Sequence, residues 1–155
     1  PLISEKAIKK IKNHIDDALS KGGEILIGGK KSKIGKLFFE PTIVTNINKS
    51  MKIFSNENFG PIIPVIKFKS DDELIQLAND TNYGLAAYFY TKKASRVWKI
   101  IENLEYGMLG INSGKISSYL NPFGGLKESG VGREGSIQCL EPFLETKFVS
   151  WSYDD

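Results

Sequence analysis

Short runs of β-branched and aromatic residues alternate along this chain with segments whose apolar side chains recur every third or fourth position, and this alternation restricts it to an α/β architecture. The first segment is helical. Ser4 stands at the N-cap, Ile8, Ile11, Ile15, Ala18 and Leu19 form one face, and Gly22-Gly23 ends it. Strands are expected at Glu24 to Ile27, Phe38 to Val44 and Ile62 to Phe68. Ser70-Asp71-Asp72-Glu73 is a capping box opening a helix that carries Leu74, Ile75, Leu77 and Ala78. The pattern then repeats as a strand at Gly84 to Thr91, a helix at Lys93 to Leu104 with Ala94, Val97, Trp98, Ile101 and Leu104 on one face, and a strand at Gly107 to Asn112. A helix from about Gly135 to Leu140 and a last strand at Leu144 to Trp151 close the chain. The prediction is an open twisted sheet flanked by helices, with parallel neighbours, right-handed crossovers and sites at the carboxyl ends of strands. The long loop after Asn112 lies where such a site belongs.

At 155 residues, 41% hydrophobic and 25% charged, the chain is long enough for one domain with a real core. No run approaches the roughly 20 apolar residues of a membrane span. The start is charged and amphipathic rather than signal-like, so a cytoplasmic location is expected, and Pro1 in place of an initiator Met is read as the mark of a cut or processed chain. The single cysteine, Cys139, excludes an internal disulfide framework and a multi-thiolate metal site, and no metal site is expected. Net charge is only +3. The lysines of Gly29 to Lys36 lack interleaved aromatics and read as a solvated hairpin loop, so neither a nucleic-acid nor a membrane partner is expected.

Several motifs fail on context. Gly130-x-Gly132-x-x-Gly135 matches the dinucleotide fingerprint, but a Pro-Phe-Gly-Gly loop stands where the preceding strand should be, and almost no chain follows. Gly23 to Lys31 resembles a phosphate loop only superficially, since Glu24 and Lys31 occupy the first-glycine and Ser/Thr positions. Asn48-Lys49-Ser50 and Asn79-Asp80-Thr81 fit the short glycosylation pattern by chance. His14 has no second imidazole or cysteine near it and is read as a surface or boundary residue. Cys139, whose charged neighbour is Glu141, is read as a packed or partly buried thiol rather than a nucleophile.

Two stretches remain. In Glu57-Asn58-Phe59-Gly60-Pro61, the glycine and proline force a sharp turn that can hold an aromatic face and a carboxylate out of the sheet. Alone, these residues read first as an exposed turn acid and a core phenylalanine. Pro122-Phe123-Gly124-Gly125-Leu126-Lys127-Glu128-Ser129-Gly130-Val131-Gly132-Arg133-Glu134-Gly135 is the more specific signal. Its glycines are expected to supply positive φ and close backbone approach, and Arg133 with Glu134 to tie the loop down.

In this order and spacing, the two stretches resemble the carboxy-terminal signature of the NAD(P)-dependent aldehyde dehydrogenases, and the resemblance runs from Pro1-Leu2-Ile3 to Glu145-Thr146-Lys147. It implies that the chain corresponds to the last third of such an enzyme, with residues 1–142 forming part of the catalytic domain and 143–155 a C-terminal oligomerisation strand and tail that augments a neighbouring subunit's sheet. It further implies that Glu57 clamps the ribose hydroxyls of the nicotinamide half of NAD or NADP, that Phe59 packs near the nicotinamide, and that Phe123 lies beneath the substrate funnel. Asn56 stands where many relatives have a second Glu. Tyr83 to Tyr90 and Asn112 to Ser118 are similar to succinate-semialdehyde dehydrogenases, in which the residue matching Ser117 helps bind the substrate carboxylate.

The implied reaction is attack of a cysteine thiolate on the aldehyde, hydride transfer to NAD(P)+, and thioester hydrolysis assisted by a glutamate base. Neither that cysteine nor that base is found in this chain. The isolated chain is therefore expected to be inactive, and the complete enzyme to be a homo-oligomer. Two rival readings are a stand-alone non-catalytic module that docks on a full-length enzyme through Leu144 to Trp151, and a nucleotide-binding regulatory domain resting on the rejected glycine pattern.

Overall fold

Helix α1 (Glu5–Ser20) begins where the Ser4 hydroxyl accepts a hydrogen bond from the Ala7 amide at 3.3 Å, and it ends with the Gly23 amide closing on the Ala18 carbonyl at 2.8 Å. The structure, a computed structural model, describes residues 1–153. They divide into two units, Pro1–Lys69 and a second that begins at Ser70.

In the first unit, β1 (Glu24–Ile27) pairs antiparallel with β2 (Thr42–Thr45), and β2 pairs parallel with β3 (Ile62–Pro64). Ile8, Ile11, Ile15 and Ala18 of α1 pack with Val44, Met51, Ile53 and Ile62 into one core. Full burial of each large aliphatic side chain there contributes roughly 1.5–3 kcal/mol. The strand expected from Phe38 starts late. Phe39 makes only an isolated bridge to Lys31, and Pro41, which has no amide to donate, stands before the continuous ladder. The Lys30 to Lys36 segment closed by that bridge is the solvated hairpin loop expected, with Lys30, Lys31, Lys33 and Lys36 exposed.

One further helix, α2 (Lys52–Ser55), was not foreseen. It is too short to show a period, yet Met51 and Ile53, each 1% exposed, fix it to the core. The Asp17 carboxylate of α1 accepts a hydrogen bond from the Lys52 amide at 2.8 Å and pairs with Lys21 at 2.9 Å. That backbone bond first, and Lys21 second, hold the Asp17 carboxyl below its ordinary range. His14 corrects the sequence reading. It is 3% exposed rather than on the surface, because it follows Ile11 by three positions and so falls on the buried stripe.

In the second unit, the Ser70 hydroxyl caps α3 (Asp71–Asn79) by accepting from the Glu73 amide at 3.2 Å. β5 (Ala86–Phe89), α4 (Ala94–Asn103) and β6 (Met108–Ile111) form a strand–helix–strand unit whose strands are parallel, from Ala86↔Met108 to Phe89↔Ile111. α3 and α4 are joined by Arg96–Asp71 and Lys99–Asp72 pairs, and the latter raises the Lys99 pKa. The Asn79 amide group bonds both the Asn103 carbonyl and the Glu105 amide, which closes the C-terminus of α4.

The run from Gly84 to Thr91 is not one strand. β4 (Tyr83–Gly84) pairs antiparallel with β7 (Leu126–Lys127), and only from Ala86 does the chain join β6. The α/β class stands, and among the described residues the strands are grouped into three ladders, β1–β2–β3, β4–β7 and β5–β6, with both parallel and antiparallel neighbours. The helix expected at Gly135 to Leu140 is a 3-10 turn at Ile137–Phe143, entered through Ser136 at φ +52° and containing Pro142. Leu144 to Trp151 lies in no ladder, and residues 140–153 are exposed throughout. A strand needs a partner, and among the described residues none is offered to it. The last two residues of the expected tail, Asp154 and Asp155, lie outside the described residues. No helix among the described residues is long and apolar enough to cross a membrane.

Candidate functional site

The turn between α2 and β3 carries the first candidate pair. Burial of Met51 and Ile53 fixes its start, and the Thr42 amide, donating to the Pro61 carbonyl at 2.8 Å, fixes its end. Between these anchors Glu57 is exposed and Phe59 is 81% exposed. Phe59 has φ +44°, a left-handed conformation that costs a non-glycine residue on the order of 1–3 kcal/mol. An aromatic ring that is both strained and left in water is poorly explained by packing, and such strain concentrates at binding sites. The reading of Phe59 as a core residue is thereby set aside. Gly60 allows the turn to lie flat on α1, since a Cβ there would fall 2.1 Å from Ile11 Cδ1.

This pair is the one the sequence reading assigns to the nicotinamide half of a dinucleotide, and both side chains are open to solvent. An exposed carboxylate can accept hydrogen bonds from two ribose hydroxyls, and the Phe59 ring offers an apolar face two positions along the same turn. The residues around the pair were not legible as part of it. His14 Nδ1 lies 2.8 Å from Asn58 Oδ1, and the Asn58 amide donates to the Ile53 carbonyl at 3.3 Å. The three- and four-residue steps from Ile11 to His14 to Ala18 were the signal that places His14 beneath this turn.

The second candidate region, in the second unit, is the long loop after β6. Asn112, at φ +53°, roots it by bonding both the Thr91 amide (2.8 Å) and the Thr91 carbonyl (2.9 Å) with its side chain. Ser113 and Ser118 make local turns with Lys115 and Leu120. Ser117 stands exposed between them and takes no part in those bonds. Downstream, Phe123 and Glu134 exchange backbone hydrogen bonds at 2.8 and 2.7 Å, which folds the glycine-rich stretch back on itself. Arg133 Nη1 donates to the carbonyls of Gly125 (3.0 Å) and Gly132 (2.7 Å), so Arg133 ties the loop with its side chain while Glu134 does so through its backbone.

The glycines do both tasks expected of them. Gly130, Gly132 and Gly135 have positive φ, and at Gly124 the backbone approaches closely enough that a Cβ would sit 2.7 Å from the Gly132 carbonyl oxygen. Phe123 lines an open cavity of about 600 Å³ together with Leu85, Arg133, Cys139 and Phe143. Ser117 is not in its wall. Cys139 is half-buried in that wall, in keeping with a packed thiol. Among the described residues no group of three or more His, Cys, Asp or Glu side chains could hold a metal ion.

Comparison with known proteins gives a match to the aldehyde dehydrogenase family over residues 1–149. The chain is 50% identical over 149 residues to a probable succinate-semialdehyde dehydrogenase (NADP(+)) of Sinorhizobium fredii, covering 96% of this chain and 30% of that protein. It is 47% identical to the 3-sulfolactaldehyde dehydrogenase of Pseudomonas putida, with 96% and 31% covered. The crystal structure of succinate-semialdehyde dehydrogenase from Burkholderia pseudomallei superposes with a TM-score of 0.87 at 51% identity, over 91% of this chain and 29% of that one. The chain thus spans about a third of the length of the curated relatives it matches.

Proposed function

The chain belongs to the aldehyde dehydrogenase family, and from that membership we propose that it is the carboxy-terminal portion of an NAD(P)-dependent enzyme oxidising succinic semialdehyde to succinate. The observation that carries the reading is Phe59, held strained and 81% exposed beside the exposed Glu57. In the complete enzyme, NAD(P)+ supplies the hydride acceptor. Glu57 would hold its nicotinamide ribose by accepting from two hydroxyls, and Phe59 would offer an apolar wall to the ring.

Ser117 is proposed to donate a hydrogen bond to the distal carboxylate of the substrate, where an aromatic side chain would exclude an anion. The relatives named for succinate semialdehyde and for 3-sulfolactaldehyde support an aldehyde bearing a distal anionic group. Phe123 is proposed to support the floor of the substrate path. Residues 143–155 are proposed as the strand through which subunits of the complete enzyme associate, and the location is proposed to be cytoplasmic. The nucleophilic cysteine and the glutamate base are proposed to lie outside this chain, because Cys139 is half-buried in the wall of the Phe123 cavity.

The test is an assay of NAD(P)H formation from succinic semialdehyde. The complete polypeptide is expected to turn over and the isolated chain to show no activity. Turnover by the isolated chain, or a complete polypeptide inactive on every short aldehyde with a distal anion, would refute the proposal. A second reading, the non-catalytic docking module, is favoured by the exposed apolar tail with Phe148 at 88% and Trp151 at 81%. Intact mass from source cells separates the two. A mass near that of this chain favours the module, and a mass about three times larger, as the coverage of relatives suggests, favours the enzyme.

A further inference from the structure

Two side chains of α1 hold the Glu57 to Phe59 turn from beneath. His14 is 3% exposed, and its Nδ1 stands 2.8 Å from Asn58 Oδ1. Because the Asn58 amide nitrogen donates to the Ile53 carbonyl, Oδ1 is the atom facing the imidazole and His14 carries its proton on Nδ1. Three residues earlier on the same face, Ile11 is fully buried and abuts Gly60, with no room between them for a Cβ. Asn58 and Gly60 are therefore fastened to the helix, and the alternate residues Glu57 and Phe59 are turned to solvent.

We propose that His14, acting through Asn58, is a positioning residue for the nicotinamide-ribose clamp. The inference rests on the reading of Glu57 and Phe59 as cofactor contacts. An aliphatic side chain at position 14 would fill the same buried volume, but it would leave Asn58 Oδ1 without its partner and the turn without a directional tether. The turn needs one, since Phe59 occupies a backbone conformation that its neighbours must enforce. The function of the hydrogen bond is to fix where the Glu57 carboxylate stands relative to the ribose.

The test uses the complete enzyme and compares its affinity for NAD(P)+ with its affinity for ADP, which lacks the nicotinamide ribose. His14→Leu is expected to weaken NAD(P)+ binding about tenfold while leaving ADP unchanged, and His14→Gln, whose amide can still donate to Asn58, to recover to within about threefold. Asn58→Ala removes the acceptor without touching α1 and is expected to reproduce the loss, which keeps the test decisive if His14→Leu fails to fold. Equal losses for NAD(P)+ and ADP, or no loss with Asn58→Ala, would overturn the positioning role. Glu57→Gln separates the two levels of the argument. If it too leaves NAD(P)+ binding unchanged, the cofactor reading itself fails; if it weakens binding while Asn58→Ala does not, only the role of His14 fails.

Discussion

Phe59 holds a conformation that its own packing does not explain. Its left-handed backbone costs energy that a glycine would not incur, and its ring, 81% exposed, recovers little by burial. Phe59→Gly relieves that strain, on the order of 1–3 kcal/mol, against the greater chain entropy of glycine, roughly 0.5–1 kcal/mol and of opposite sign. Thermal or urea unfolding is therefore expected to show no loss of stability, against the roughly 3–5 kcal/mol lost when a Phe is truncated in a core. A loss above about 2 kcal/mol would mean that the ring is packed and that the cofactor argument has lost its support. The turn that carries Glu57 and Phe59 was legible in sequence because Gly60-Pro61 announces it locally, whereas the exposure of Phe59 was not. The His14 tether was not: its partner lies far along the chain, and a lone histidine is ordinarily a surface residue.

At the scale of elements, what the sequence made visible was whatever is decided locally. Ser4 and Ser70 cap the helices expected of them, because a cap bonds an amide three residues on. The division of Gly84 to Thr91 between two ladders was hidden, since β7 belongs to a glycine loop without strand character and its pairing is long-range. Helix α2 was hidden too, as a single turn whose cap comes from Asp17 of α1. That cap makes a pH prediction. The Lys52 amide and Lys21 depress the native pKa of Asp17 below 3.8, so its contribution to stability is fully present above the unfolded value and is lost as pH falls below 3.8 through the lower native value. Unfolding of wild type and Asp17→Asn is expected to differ at neutral pH, with the gap closing only in that acid window. A gap that is constant with pH, or that opens in acid, would contradict the cap.

At the scale of the whole chain, the apolar tail joins no ladder among the described residues. From Leu140 to Tyr153 every residue is exposed, including Phe143 (84%), Leu144 (69%), Phe148 (88%), Val149 (71%) and Trp151 (81%). Apolar side chains of high strand propensity that remain in water favour pairing with another chain. If residues 143–155 are an oligomerisation strand, the tail finds its ladder on a second subunit. The isolated chain should then associate in a concentration-dependent way. Sedimentation across a hundredfold range, roughly 1 to 100 μM, is expected to show mass rising with concentration. Phe148→Lys with Trp151→Lys places charges on the edge and is expected to return the chain to a monomer without altering its unfolding transition, because neither side chain is buried. A wild-type chain that stays monomeric throughout would sink both the oligomerisation strand and the docking module. Association that survives the double substitution would place the interface on another part of the chain.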